Sequence, residues 1–368
     1  MFRPLATGRR RWRPDKPHDN KRARSEMSHS DLLNRFPRVR LMRGPTPMQR
    51  LDRLERVIGE RRRGVSIWVK RDDLMELGGG GNKLRKLEFL LGQAIAEGCD
   101  TVIVTGGVQS NFARLAAAAC ARTGLACELV LAQMVPRHSE IYQGNGNVLL
   151  DRLFGASLHI LAEGDDASGF ANCRASEITA SGGKAFVATL GGSTPVGALG
   201  YVDCAIEIAA QSVEMGIAFQ QVVIPNGSGG MHAGLVAGAA VAGKDPSRIR
   251  AYTVLSSADA CIAATVDKVN AVFELLGKED RVQAEDLTIS GTQLGRGYGM
   301  PTSEMVEAVR IVGRSEGLLL DPVYGGKAFA GLLSDIENEV IAPGSNVLFV
   351  MTGGSPGLYA YADVLSSN

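Results

Sequence analysis

The stretch GGGGNKLRKLEFL, residues 78–90, determines how the rest of the chain is interpreted. Four consecutive glycines precede Asn82 and Lys83, and glycine accepts backbone angles and close approaches that other residues do not. Apolar residues then recur at helical spacing, at Leu84, Leu87, Leu90 and Leu91. The pattern predicts a glycine loop that delivers Lys83 to the first turn of an amphipathic helix.

A lysine in that position has the chemistry that a carbonyl cofactor requires. The positive end of the helix dipole disfavours the ammonium form of Lys83. The neutral amine is the form that makes a Schiff base with an aldehyde. A solvated lysine after a flexible loop is the structural alternative, and this motif alone does not separate the two.

Length and charge exclude several classes of function. The 368 residues suffice for one large or two moderate domains. A net charge of +1 gives no overall field that would attract nucleic acid or an acidic membrane. We find no apolar run that approaches a membrane span in length. We therefore expect neither a nucleic-acid partner nor a membrane partner.

The cysteines and histidines do not indicate a metal centre. Six cysteines are scattered without a C-x-x-C pair, and five histidines show no ligand spacing. This distribution is typical of buried free thiols in a reducing compartment. We expect a cytoplasmic protein that binds no metal.

Residues 1–28 differ from the rest of the chain. They are rich in arginine and lysine and poor in apolar residues, which predicts a disordered basic tail. The segment lacks the apolar region of a secretory signal. A transit peptide remains open, and so does a true start at Met27.

From Phe36 onward, strands and helices alternate. Helices of about 10–15 residues separate the strands, which is typical of βαβ units and parallel sheets. The fold class we predict is α/β, with two open, twisted, mostly parallel sheets flanked by helices and sharing a cleft. The predicted strands lie at 66–73, 101–107, 127–132, 157–161, 185–189, 219–226, 250–254 and 346–350.

Four loops have the position of a ligand site, because open α/β sheets bind ligands beyond the carboxyl ends of their strands. They are residues 78–83, 105–112, 226–234 and 351–357. The third, NGSGG followed by a helix, predicts an anion site built from backbone N–H groups and the helix dipole. It lacks the Walker pattern of a nucleotide triphosphate site. A tight turn that allows close helix packing is the alternative.

Other residues in or near these loops each have two interpretations. Ser110 is an ordinary helix N-cap, or it lies where orphan N–H groups would bind a substrate carboxylate. Tyr298 and Tyr324 stand beside glycines and either face a cleft or pack as turn residues. Together, the lysine, the anion loop, the hydroxyls and the rings suit pyridoxal 5'-phosphate, which brings its own electron sink.

The chain resembles the pyridoxal-phosphate family of D-cysteine desulfhydrase and 1-aminocyclopropane-1-carboxylate deaminase, which has the fold type II, tryptophan-synthase-β-like architecture. The resemblance extends from about Arg35 to Ala362. Its motifs are VKRDDL, GGNKLRKLEFL, GGVQSN, NGNVLLDRLFGA, ALGYVDCAIEI, NGSGGMHAGL, GYGMP, LLLDPVYGGKAFAGL and TGGSPGLYAY. It implies a homodimer and a division into a large cofactor-binding domain (29–84 and 196–368) and an inserted smaller α/β domain (85–195).

The resemblance also implies roles for individual residues. Lys83 would hold the cofactor as a Schiff base and move protons. Tyr298, Tyr324 and Ser110 would complete the catalytic set. The expected cofactor-binding residues are Asn82, Lys83, Asn111, Gly227, Ser228, Gly229, Gly230, Met231, Tyr324 and Thr352. The expected substrate-binding residues are Gln109, Ser110, Asn111 and Phe112.

Four positions depart from the usual patterns or divide the family. Met231 stands where a threonine is usual, and Phe112 where histidine or glutamine is usual. Deaminases carry glutamate at position 325 and leucine at position 352. Desulfhydrases carry threonine at both, whereas this chain has Gly325 and Thr352. The resemblance therefore favours the desulfhydrase branch.

The expected function is a lyase reaction on a small amino acid. The first expectation is β-elimination of D-cysteine or a related β-substituted alanine to pyruvate, ammonia and sulfide or another leaving group. The alternatives are 1-aminocyclopropane-1-carboxylate deamination to 2-oxobutyrate and ammonia, cysteate sulfo-lyase activity, and a non-catalytic amino-acid-binding protein of the same fold.

Overall fold

The computed structural model describes residues 29–366. The predicted basic tail and the alternative start at Met27 lie outside the described residues. Ten strands form two sheets in this part of the chain. They are β1 (Met48–Arg50), β2 (Ser66–Lys70), β3 (Thr101–Gly107), β4 (Ala126–Ala132), β5 (Ser157–Leu161), β6 (Ala185–Ala188), β7 (Gln221–Asn226), β8 (Ile249–Thr253), β9 (Thr288–Ser290) and β10 (Asn346–Val350).

Helices cover both sheets. Their bounds are α1 (His29–Asn34), α2 (Asp52–Ile58), α3 (Lys83–Ala96), α4 (Asn111–Thr123), α5 (Glu140–Gly144), α6 (Asn147–Leu153), α7 (Ala167–Ala180), α8 (Pro195–Glu214), α9 (Gly230–Val241), α10 (Ala258–Leu276), α11 (Ser303–Glu316), α12 (Gly325–Glu337), α13 (Pro356–Ala360) and α14 (Ala362–Leu365).

The sheets are mostly parallel, as predicted. The larger sheet has the order β1-β2-β10-β7-β8-β9, and the smaller has the order β5-β4-β3-β6. Only the β1–β2 pair among the described strands is antiparallel. The sequence missed β1 and β9, which are three residues long and carry too few side chains to show a periodic pattern.

The two sheets are built from different parts of the chain. All four strands of the small sheet lie between residues 101 and 188, and the strands of the large sheet lie before and after this segment. This distribution agrees with an inserted small domain at 85–195. The exact division stays a prediction.

Helix α8 requires a correction to the sequence analysis. Among the described residues it is the one helix with the length and hydropathy of a membrane span, and half of that apolar window is buried. The helix packs against α3 and α9 and contributes Leu199, Tyr201 and Val202 to the largest core cluster. A core helix satisfies the same criteria of length and hydropathy as a membrane span.

The cysteines are free, as expected, but they are not all buried. Cys99, Cys120, Cys127, Cys204 and Cys261 are buried, whereas Cys173 on α7 is exposed. Helix α7 has only one fully buried residue, Ala171, and covers the small sheet with one narrow face. A cysteine on its outer face therefore reaches solvent.

Small residues let α3, α8 and α9 approach closely. A methyl group built at Gly200 in α8 would lie 2.1 Å from the carbonyl oxygen of Arg85 in α3. A methyl group at Gly234 in α9 would lie 2.3 Å from the carbonyl oxygen of Ala198. These contacts are with backbone atoms, which cannot move aside as a flexible side chain does. The glycines thus fix the spacing of the helices beside Lys83.

We predict that Gly200→Ala lowers the free energy of unfolding by about 2 kcal/mol or more, because the added methyl group overlaps the α3 backbone. The matched control is Gly313→Ala in α11, where the nearest atom to the new methyl group is 3.9 Å away. This control should be neutral or stabilising by up to about 1 kcal/mol, since alanine favours helix. Urea unfolding of both variants measures the difference, and equal stabilities would contradict the packing account.

Candidate active site

A cleft lies between the two sheets, at the carboxyl ends of their strands, where open α/β sheets bind their ligands. It is lined by Asn82, Lys83, Lys86, Gly107, Ser110, Asn111, Phe112, Met134, Leu190, Gly191, Pro225, Asn226, Gly227, Ser228, Gly229, Gly230, Met231, Leu255, Tyr298, Tyr324 and Thr352. The four loops expected from the sequence therefore all contribute to one cavity.

The glycine loop brings Lys83 to the cleft as the first residue of α3. Gly80 has a φ of +79°, and a methyl group there would lie 2.3 Å from the carbonyl oxygen of Asp73. The next turn is fixed from the large sheet, because the backbone N–H of Asn82 donates to the carbonyl oxygen of Thr352 at 2.9 Å. Only a residue without a side chain fits position 80 in this conformation.

The amine of Lys83 is easier to deprotonate than an ordinary lysine. Burial lowers the pKa of Lys83 to about 8, and the nearby Asp321 carboxylate partly offsets this effect. The direction agrees with the sequence expectation, and the structure identifies burial as the main cause. The Nζ atom lies 5.6 Å from the centroid of the Tyr324 ring.

Asp321 is a residue of the site that the sequence analysis did not single out. Burial raises the pKa of Asp321 to about 6, although its carboxylate accepts hydrogen bonds from three backbone N–H groups and faces the Lys83 ammonium. The donors, at the start of α12, are Val323 (3.1 Å), Tyr324 (3.0 Å) and Gly325 (2.6 Å). The DPVY motif contains this aspartate, but its proximity to Lys83 depends on the fold.

The two expected tyrosines meet in the cleft. The hydroxyl groups of Tyr298 and Tyr324 lie 2.8 Å apart, and their rings are edge to face with centroids 5.9 Å apart. Burial raises the pKa of Tyr324 to about 12 and that of Tyr298 well above its ordinary value. Both side chains therefore remain phenols at neutral pH and can donate hydrogen bonds.

Ser110 has both of its possible roles in the structure. It is the N-cap of α4, where its Oγ accepts from the Ala113 N–H at 3.1 Å, and it also lines the cleft. The hydroxyl proton of Ser110 stays available to a ligand. Phe112 is buried in the core of the small domain and presents part of its ring to the cavity.

Gln109 does not face the cleft, in contrast to the expectation that it contacts the substrate. Its side-chain N–H₂ group donates to the carbonyl oxygens of Tyr142 (2.6 Å) and Asn145 (2.9 Å). Its side-chain oxygen accepts from the Asn147 N–H at 2.9 Å. Gln109 is adjacent to Ser110 in sequence, but at the strand end its side chain turns toward the 142–147 turn and braces it.

The glycine loop after β7 has the geometry of an anion cradle. Gly229 has a φ of +85° and precedes α9, which begins at Gly230. The side-chain oxygen of Asn226 accepts from the Gly229 N–H at 3.0 Å, and its amide nitrogen lies 3.3 Å from the Thr265 hydroxyl. Asn226 and Thr265 therefore hold the turn in place, and its remaining N–H groups lie at the N-terminus of α9.

The departure at position 231 leaves an apolar side chain in this cradle. Met231 is buried in the main core cluster and its sulfur lies 3.7 Å from the Asn82 amide nitrogen, which donates to it. A thioether is at best a weak acceptor and donates nothing. The expected hydroxyl contact to an anion is thus missing from this position.

Lys86 is a second lysine of the cleft, which the sequence did not place in the site. Its Nζ donates to the carbonyl oxygen of Gly191 at 3.0 Å and to the Ser193 hydroxyl at 2.9 Å. Burial holds its pKa well below the ordinary value, and the charges of Lys83 and Lys268 act in the same direction. Its position three residues after Lys83 was the available signal in the sequence, because residues three apart share a helix face.

A buried polar network anchors the first turns of α3. The guanidinium of Arg85 donates to both oxygens of Asp72, at 2.8 and 2.9 Å, and to Glu207 of α8 at 2.9 Å. Lys70 also pairs with Glu207. Burial opposes ionisation of Asp72, yet the Arg85 guanidinium holds the pKa of this carboxyl below its ordinary value. The network ties the helix that carries Lys83 to β2 and α8.

The residues present fit pyridoxal phosphate. A lysine amine of lowered pKa, an anion cradle and a second buried lysine line one cavity. The side-chain oxygen of Asn111 is buried without a hydrogen-bond partner in the part of the chain that the structure describes, so the cleft holds unused polar capacity. No group of three or more metal-ligating side chains occurs within residues 29–366.

We predict that labelling of Lys83 by a small amine-reactive reagent has its half-maximal rate near pH 8, instead of near pH 10.5. The neutral amine is the reactive form, and it predominates above the pKa. Asp321→Asn removes the stabilising negative charge and should shift the half-maximal pH downward. Peptide mass spectrometry after cofactor removal measures the labelling. A half-maximal pH near 10.5, or an upward shift in the variant, would contradict the electrostatic account.

The chain is similar to known proteins along nearly all of its length. The family model described as pyridoxal-phosphate dependent enzyme matches residues 39–353. A protein of Yersinia pestis (strain Pestoides F) named D-cysteine desulfhydrase is 38% identical over 335 residues, 91% of this chain and 99% of that protein. One of Klebsiella pneumoniae (strain 342) with the same name is 39% identical over 330 residues, 89% of this chain and 97% of that protein.

Solved structures agree with this assignment. A crystal structure described as an ACC deaminase homologue has a TM-score of 0.81 and 36% sequence identity, and the match covers 92% of this chain and 98% of that one. The diaminopropionate ammonia lyase of Escherichia coli has a TM-score of 0.62 at 18% identity, with 92% and 90% covered, and shares the fold. The chain belongs to the family of pyridoxal-phosphate dependent enzymes and is a lyase that uses this cofactor.

Proposed function

We propose that the protein eliminates the β-substituent of D-cysteine, or of a closely related β-substituted alanine, to give pyruvate, ammonia and sulfide or another leaving group. The observation that carries this proposal is the Lys83 amine of lowered pKa, which lines one cleft together with an anion cradle and two phenol groups. The relatives named D-cysteine desulfhydrase support the choice of substrate.

The cofactor supplies electron withdrawal, and the protein supplies binding and proton transfer. Pyridoxal phosphate supplies an aldehyde and a conjugated ring that withdraws electrons from the Cα atom of a bound amino acid. Lys83 Nζ would hold the cofactor, and its amine would serve as the base that accepts the Cα proton of the substrate. With a pKa of about 8, Lys83 both accepts and returns a proton near neutral pH.

Other residues bind the substrate and manage its protons. Ser110 and the free N–H groups of the first turn of α4 are placed to hold the substrate carboxylate. Tyr298 and Tyr324 stay protonated and provide a donor for the leaving sulfur. Asp321 balances the ammonium that forms on Lys83, because the pKa of this carboxyl lies below that of the amine.

Position 325 favours elimination over cyclopropane opening. A side chain at Gly325 would begin 3.1 Å from the Asp321 carboxylate. The glutamate that deaminases carry there would bring a second negative charge toward a buried one, at a substantial electrostatic cost. With Gly325 and Thr352 in place, neither position offers a carboxylate that could protonate the cofactor ring. The ring would then withdraw electrons less strongly than a protonated ring. This suffices for the loss of a good leaving group but gives less help to the opening of a cyclopropane.

We predict that the purified enzyme releases pyruvate and sulfide from D-cysteine and forms no 2-oxobutyrate from 1-aminocyclopropane-1-carboxylate. The keto acids are measured after incubation with D-cysteine, L-cysteine, β-chloroalanine, cysteate, diaminopropionate and 1-aminocyclopropane-1-carboxylate. Preferred turnover of cysteate would identify a sulfo-lyase, and 2-oxobutyrate a deaminase. A purified protein that binds the cofactor but turns over no member of the panel would contradict the lyase proposal and favour a binding protein.

The remaining expectations about the protein in the cell belong to the same proposal. We infer a homodimer in the cytoplasm, without nucleic-acid or membrane partners, with domains at 29–84 and 196–368 and at 85–195. The near-zero net charge and the partial burial of α8 support the absence of nucleic-acid and membrane partners. We also infer the cofactor contacts of Asn82, Asn111, Ser228 and Thr352, which line the cleft.

A further inference from the structure

The phosphate cradle of this chain lacks one hydroxyl group and has a neighbour that can make up for it. Met231 cannot donate a hydrogen bond to an anion, as described above. Ser193 lies in the loop between β6 and α8 and contacts the cradle from behind. A methyl group built at Gly230 would lie 2.7 Å from Ser193 Oγ, so this hydroxyl abuts the first residue of α9.

Ser193 is the middle member of a hydrogen-bonded chain. Lys86 Nζ donates to Ser193 Oγ at 2.9 Å, and Ser193 Oγ lies 2.6 Å from Ser228 Oγ in the cradle. Because the Ser193 oxygen accepts from the lysine, its own proton is free to be donated to Ser228. The proton of Ser228 is then available for an anion in the cleft. Each donation polarises the next hydroxyl and strengthens its hydrogen bond.

The hydrogen-bonded row of Lys86, Ser193 and Ser228 is placed to act on an anion in the cleft. Lys86 and Ser228 both line the cavity that contains Lys83, whereas Ser193 lies behind them, against a second cavity lined by Thr189, Ser256 and Lys268. Ser193 therefore holds two donors whose own atoms face the cofactor site. Its position between α3 and the cradle also connects the two sides of the cleft.

We propose that Ser193 is a positioning residue for the cofactor phosphate, which couples the Lys86 amino group to the Ser228 hydroxyl and thereby compensates for the hydroxyl missing at Met231. The inference rests on the cofactor site described above and is independent of the substrate.

The test compares two cofactor forms. Apo-protein is titrated with pyridoxal phosphate and with pyridoxal, which lacks the phosphate, and binding is followed by absorbance. For Ser193→Ala we expect the affinity for pyridoxal phosphate to fall by about tenfold, the scale of one lost hydrogen bond, because Lys86 and Ser228 lose the group that aligns them. The affinity for pyridoxal should change by less than about twofold, because it makes no phosphate contact.

Three variants complete the design. Ser256→Ala removes a hydroxyl that lines the same rear cavity but is outside the hydrogen-bonded chain, and should leave both affinities unchanged. Ser193→Thr keeps the hydroxyl and should retain the preference for pyridoxal phosphate. Adding Met231→Thr to Ser193→Ala should restore part of the lost affinity, since it supplies the missing donor.

The outcomes separate the inference from the proposed function. Selective loss of pyridoxal phosphate binding in Ser193→Ala, with rescue by threonine at position 193, supports the role of Ser193. Equal losses for both cofactor forms, or no loss for either, would overturn it while leaving the lyase proposal in place. A wild-type protein that bound neither form would overturn both.

Discussion

Burial of the Lys83 amine is the constraint on which the site depends. A lysine held away from water favours its neutral form, and here the pKa falls to about 8. The Asp321 carboxylate limits that fall, and its own pKa is raised by burial to about 6. At neutral pH the amine is mostly protonated and the carboxyl mostly ionised, so the two groups carry opposite charges. An amine of this kind can bond to an aldehyde and later act as a base.

Helix α3 places this amine because successive residues on it are tied to different parts of the molecule. Lys83 faces the cleft, Arg85 pairs with Asp72 and Glu207, and Lys86 reaches the loop before α8. Glu88 accepts from the backbone N–H groups of Leu41 (2.7 Å) and Met42 (2.9 Å). A buried charge that lost its partner would be strongly destabilising, so each of these pairs restricts the helix to one position.

Much of the fold could be predicted because its signals are local. The strand at Thr101–Gly107 and the helix after Ser110 follow from buried apolar runs and an N-cap, and both are confirmed. The closeness of the Tyr298 and Tyr324 hydroxyls could not be predicted, since the two residues lie on separate loops. The same holds for Asp321 and Ser193, whose relevance arises from residues distant in sequence. Gln109 shows the converse, because adjacency to Ser110 in sequence did not place its side chain in the cleft.

The central claim is that Lys83 and pyridoxal phosphate share a covalent bond, and reduction of the loaded enzyme with borohydride tests it most directly. Borohydride converts the imine to a stable amine, and peptide mass analysis then locates the added mass. We expect the mass of the reduced pyridoxyl group on the peptide that contains Lys83, and on no other peptide. A label on another lysine, or none on fully reconstituted enzyme, would contradict the account.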